Sequence, residues 1–170
     1  MLSLNSTDLT RITTKMTRIA RPLDVMLWHV WCGTTDWSDV LQPLSAFQHN
    51  DGGFGHGIEP DMWHPASSPL ATSVALQYVH HAGIPTNHPL VQRALAYLET
   101  SFDADAHKWH PMAPGVNDYP HAPWWHADAT TGRNALDGDW PNPTVEIIGY
   151  LGDYHGTNID MTALYDTLVA

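Results

Sequence analysis

The sequence predicts an all-α protein built of repeated helical hairpins in two layers. Three observations point there. Helical segments that are apolar nearly all round alternate with segments apolar on one side, as expected when one set is buried on several faces and the other on one. Prolines suited to a first helical position recur at Pro22, Pro69 and Pro143, 47 and then 74 residues apart, with a long insertion in the second interval. Periods near fifty residues mark stacked repeats. Finally, a glycine-rich acidic turn, Gln48-His49-Asn50-Asp51-Gly52-Gly53-Phe54-Gly55, joins a one-sided segment to an all-round one.

Residues 1–20 are rich in Ser and Thr, with a weak helical pattern, and read as a lead-in helix or N-terminal arm ahead of a domain spanning 21–170. From Pro22, the residues Leu23, Val25, Met26, Leu27, Trp28, Val30 and Trp31 form the first all-round segment, stopped at Gly33. Val40, Leu41, Leu44 and Phe47 give a one-sided stripe interrupted by Pro43, closing a hairpin over about 22–48. Ser67 or Ser68 caps the next helix and Pro69 opens it. Leu70, Ala71, Val74, Ala75, Leu76, Tyr78 and Val79 again cover most of its circumference, and Gly83 ends it. Asn87 and Pro89 start a one-sided helix carrying Val91, Ala94, Leu95 and Leu98, completing a hairpin over 69–100. After a long loop, 101–142, the pair Asn142 and Pro143 opens a third hairpin over 143–169. It carries Ile147, Ile148 and Leu151, then Met161, Leu164, Tyr165 and Leu168.

With 170 residues and 43% apolar content, the chain is long enough for one domain with a real core. The net charge is −11, and four of the seven Lys and Arg side chains (Arg11, Lys15, Arg18 and Arg21) sit at the N-terminus. An acidic body repels a phosphate backbone, so nucleic acid is not an expected partner. No stretch has the length of a membrane span. The lone Cys32 follows Val30 and Trp31, which predicts a buried thiol in a reducing, cytoplasmic setting.

The string Gln48–Gly55 resembles the repeat of the terpenoid cyclase and protein prenyltransferase α/α-toroid superfamily. There, an outer helix ends in Gln and a DGGFG-like turn leads to an inner helix. Squalene–hopene cyclase and the β subunits of protein prenyltransferases share that repeat. The strings RPLDVMLWHV, EPD, SSPLATSVALQ and DYPHAPWW look more closely like a group of uncharacterised bacterial prenyltransferase-like proteins. The likeness covers about residues 21–154. It implies an α/α toroid, here about half a ring, because a closed ring needs six hairpins and this chain holds roughly three. A half-ring exposes the flanks of its inner helices, so self-association is expected. In the turn, the glycines permit a tight return, Gln48 is expected to accept from amides of a neighbouring helix start, and Phe54 packs across. Trp109 is the counterpart of Phe54 in the following repeat.

Two family sites do not transfer. The prenyltransferase zinc site needs Asp-x-Cys, whereas Cys32 follows Val30 and Trp31. The cyclase acid motif is Asp-x-Asp-Asp, and both Asp103-Ala104-Asp105 and Asp137-Gly138-Asp139 lack the last Asp. No metal or other cofactor is therefore expected.

Two connections are longer than a turn requires, 56–64 and 109–140, and both mix carboxylates, imidazoles and indoles. Long loops on a rigid scaffold are where binding and catalytic groups concentrate. Glu59 and Asp61 form a candidate acid/base pair, or else hold the loop to backbone amides. Asp118 with His121 and His126 can make an acid–imidazole relay, a metal site, or loop hydrogen bonds. Trp124, Trp125, Trp63 and Tyr119 can stack on a ligand or pin the loops. Glu146, one turn into an apolar helix, is costly there unless paired or facing a wet cavity, which makes it the first candidate for a functional acid. Asp24 and His29 occupy comparable places in the first inner helix.

These residues lead to three expectations. The first is a prenyltransferase- or cyclase-like protein binding or transforming a hydrophobic, isoprenoid-like small molecule in an acidic and aromatic cavity. The second is a non-catalytic binding module on the same scaffold. The third is a carbohydrate-active α/α-barrel hydrolase or lyase.

Overall fold

The computed structural model describes residues 4–138, 141–154 and 158–169. Asp139, Trp140 and the side chains of Asp137 and Leu168 lie outside that description. Among the described residues there are seven α-helices: α1 Ser6–Ile19, α2 Pro22–Trp31, α3 Leu41–Ser45, α4 Pro69–His81, α5 Pro89–Thr100, α6 Pro141–Tyr154 and α7 Met161–Val169. The strands among these residues are two short ones, β1 Phe102–Asp103 and β2 Lys108–Trp109, which pair antiparallel in the long connection. The fold is all-α, and no described helix is long and apolar enough to cross a membrane.

The hairpins pair as the pattern requires. α4 packs on α5, α6 packs on α7, and α4 packs against α6, so the second and third hairpins meet through their more apolar helices. Ser68 caps α4, its hydroxyl accepting from the Ala71 amide. In α5 the cap is His88 and not Asn87, the imidazole accepting from the Leu90 amide. Helical wraps around Pro43 survive because a single 3-10 turn, Trp37–Val40, leads into the short α3, so no long helix has to tolerate the proline. The core runs from Leu23 through Leu44, Phe54, Leu76, Val91 and Leu98 to Ile147 and Leu164.

Two expectations are corrected at α2. Its sequence is apolar nearly all round, yet only Leu23 is buried, and Trp31 is 72% exposed. The helix packs on α1, on α3 and on the 3-10 turn before it, which leaves most of its side chains half-buried, and the Thr13 hydroxyl of α1 accepts from the Trp28 indole at 2.8 Å. Cys32, at its C-cap, is exposed, where a buried thiol was expected.

The Gln48–Gly55 turn explains its own composition. Gly52 has φ of 95°, and a Cβ there would meet the Arg93 carbonyl at 2.3 Å. A Cβ on Gly55 would meet the Ala66 carbonyl at 2.4 Å. The Asp51 carboxylate accepts from the Gly53 amide and the Ser67 hydroxyl. Gln48 works in the opposite sense to that expected. Its side-chain amide donates to the Gly52 and Leu90 carbonyls, both at 2.9 Å, because the first amides of α5 face the His88 cap. Phe54 is fully buried and its amide donates to the Thr72 hydroxyl at 3.0 Å. Trp109 repeats the arrangement one hairpin later. It is buried, and its amide donates to the Thr144 hydroxyl at 3.2 Å.

Candidate functional site

The two long connections are joined into one rim. The Trp63 amide donates to the Pro120 carbonyl (2.9 Å) and the Ala122 amide to the Asp61 carbonyl (2.8 Å), so the loops run antiparallel across the Met62–His121 pair. Asp61 then secures them a second time. Its Oδ1 accepts from the Trp125 indole at 3.0 Å and its Oδ2 from the Trp124 indole at 3.1 Å. One carboxylate thus fixes two consecutive tryptophans from a loop more than sixty positions away. Trp125 is buried with Met62, Leu70 and Val116 in a second, smaller core, whereas Trp124 and Trp63 are 53% and 61% exposed. Asn117 clips the far side of the loop, its side chain both donating to and accepting from the Ala127 backbone at 2.8 Å.

Buried His64 bonds the Pro114 carbonyl through Nε2 and accepts from the Ala66 amide through Nδ1, which assigns its tautomer and makes it a structural strut. Tyr119 packs edge-on to it at 4.7 Å. His121 donates through Nδ1 to the Tyr119 carbonyl at 2.6 Å, leaving Nε2 facing His126 Nδ1 at 3.2 Å. The acid–imidazole relay with Asp118 is not assembled. Asp118 is exposed with no side-chain hydrogen-bond partner among the described residues, because His121 takes a backbone carbonyl instead. No group of three or more metal-ligating side chains converges among the described residues.

Behind the rim, at the α4–α6 contact, lies half-buried Glu146. Its Oε2 accepts from Ser73 (3.0 Å), and its Oε1 accepts from Gln77 (2.7 Å) and Tyr150 (3.1 Å). Burial pushes the Tyr150 hydroxyl pKa up, and the Glu146 carboxylate adds to the effect. Glu59 is also half-buried. Burial pushes its carboxyl above the ordinary value, the Asp61 and Glu146 carboxylates push the same way, and Arg21 opposes them. Arg21 itself is held at the start of α2. Its guanidinium makes a two-point bond to Asp24 and donates to the Gly57 and Ile58 carbonyls, which ties the rim to the first helix. Burial lifts the Tyr78 hydroxyl pKa as well, with Glu59 contributing.

The structure therefore brings Glu59, Asp61 and Glu146 into one electrostatic neighbourhood, and the aromatic candidates onto one rim, but leaves Asp118 outside both. Asp24 is consumed by Arg21, and His29 bonds the Thr34 hydroxyl at the far end of α2. Sequence reasoning missed Arg21, Ser73 and Gln77. The Arg21–Asp24 spacing was visible as an i,i+3 pair at a helix start, whereas the partners of Glu146 on another helix carry no local signal.

No protein-family model, no curated protein and no solved structure matches the chain.

The electrostatics of Glu59 give a sign. A carboxyl whose folded pKa is raised contributes stability that is fully present below its unfolded value near 4.5 and lost as pH rises through the folded value. At neutral pH its ionised form is therefore a small burden on the fold. Glu59→Gln is expected to raise the melting temperature slightly at pH 7 and to leave it unchanged near pH 4. A variant less stable at pH 7 would show that the charge helps hold the rim.

Proposed function

We propose that the chain is a half-ring of the α/α-toroid type, related to prenyltransferase- and terpenoid-cyclase-like proteins, that binds a hydrophobic small molecule at its acidic and aromatic rim. The observation that carries this reading is the clasp of Asp61 on the Trp124 and Trp125 indoles. It spends one carboxylate on fixing a rim whose other aromatic faces, Trp63 and Trp124, are left exposed. Preorganised aromatic surface with few polar groups is what a small-molecule site requires. The repeated amide-to-threonine bond of Phe54 and Trp109 supports the toroid-type repeat. A cytoplasmic setting belongs to the same proposal, and the unpaired, exposed Cys32 is in keeping with it.

The exposed Trp31 and half-buried Val25 of α2 support self-association, a second copy covering them. Native mass spectrometry tests both parts together. A dimer carrying additional mass is the expected result, and a bare monomer at micromolar concentration would overturn it.

A second reading, catalysis, is favoured by Glu59 alone. A carboxyl raised by burial beside a carboxylate is the usual setting of a general acid. If so, Glu59→Gln removes turnover while binding persists.

A further inference from the structure

This inference rests on the rim being a ligand surface and names the charge of what binds there. Trp63 stands between two grooves. A smaller one, about 290 Å³, is lined by Pro60, Asp61, Trp63, Pro120, His121 and Ala122. A larger one, about 420 Å³, lies toward Arg21, His56 and Pro65. The indole is held in place, its N–H donating to the Pro60 carbonyl at 2.8 Å and its backbone amide to Pro120, so what it offers a ligand is its ring faces.

Among the described residues, neither groove offers a Lys or Arg that is not already engaged. The guanidinium in the larger one already serves Asp24, Gly57 and Ile58. In the smaller one the His121 Nδ1 proton is given to the Tyr119 carbonyl, and no Lys or Arg among the described residues lines the walls. What remains is anionic or quadrupolar: the Asp61 carboxylate, the Trp63 face, and a chain of net charge −11. An anion such as a phosphate ester gains nothing there and is repelled by the field. A neutral apolar group gains the ring contact only. An organic cation gains the ring quadrupole, the carboxylate and the field together.

We propose that the groove between Trp63 and Asp61 binds an organic cation of the alkylammonium class, its charged head over the Trp63 indole. The walls of proline and alanine suit the weakly hydrated surface of a methylated ammonium better than the tightly hydrated head of a primary amine.

Calorimetric titration of the intact protein with choline, with its uncharged isostere 3,3-dimethyl-1-butanol, and with inorganic pyrophosphate tests this. Choline is expected to bind roughly 3- to 30-fold more tightly than the isostere, and Trp63→Ala to remove most of that difference. Pyrophosphate is expected not to bind. The exposed indole allows the variant to fold, which its melting temperature checks. Equal affinity for choline and the isostere would overturn the charge assignment while leaving a Trp63-dependent rim site standing. Preferential binding of pyrophosphate, or choline binding that ignores Trp63→Ala, would overturn it as well. No binding of any probe would overturn it too, and an occupant found by native mass spectrometry would then show whether the rim reading survives.

Discussion

Gly52→Ala is expected to cost roughly 3–5 kcal/mol of folding free energy, enough to unfold a domain of ordinary stability. Two costs add. The residue has φ of 95°, a conformation that side chains with a Cβ rarely adopt, and the new Cβ would lie 2.3 Å from the Arg93 carbonyl. That carbonyl is backbone within α5, so the clash cannot be relieved by a rotamer change. The turn would have to move away from α5, taking with it the Gln48 bonds to Gly52 and Leu90. Chemical denaturation monitored by circular dichroism measures the loss. A control is available at Gly83, which also has positive φ (62°) but open space around it, so Gly83→Ala pays the conformational cost alone. Comparable losses at the two positions would show that the approach to Arg93 matters little.

Asp61→Ala is expected to have the second largest effect, about 2–3 kcal/mol, concentrated in the rim. The buried Trp125 indole would lose its acceptor and carry most of the cost, while the exposed Trp124 can turn to water. Two backbone bonds between the loops, Trp63 to Pro120 and Ala122 to Asp61, do not depend on the carboxylate and should persist. The change therefore appears as local opening before global unfolding. Amide hydrogen exchange is expected to speed up at Trp125 and His126 far more than in α4 or α5. Uniform acceleration across the chain would mean that the rim and the helical array unfold as one unit.

The parts of this protein that could be read from its sequence are those whose causes are local. Ser68 and Pro69 announce the start of α4, Gly33 and Gly83 announce helix ends, and the apolar stripe of α5 matches the residues that are buried. Periodicity failed at α2 because it reports how apolar a segment is and not what covers it. Coverage depends on where the helix falls in the array. The same distinction separates the site residues. That the two loops hold the aromatic and acidic groups was legible from composition. That Asp61 clasps two indoles, and that Glu146 is secured by Ser73, Gln77 and Tyr150, was not, since all but one of those partners lie more than sixty positions away. His121 shows a third kind of limit. Its spacing from Asp118 allowed a relay, but a nearer carbonyl won the proton.

The bond from each turn aromatic to a helix threonine has a consequence for how this chain tolerates change. Phe54 reaches Thr72 across 18 positions, and Trp109 reaches Thr144 across 35, with nearly the same geometry. Closing a longer loop is cheap: each doubling of length costs only about 0.6 kcal/mol. Anchored at both ends in this way, the stretch between Trp109 and Thr144 can change in length at little entropic cost, as long as Val116 and Trp125 keep their packing on Leu70 of α4. A lineage can thus lengthen or shorten this connection while inheriting the same helical frame. For engineers, its exposed positions are the ones open to redesign.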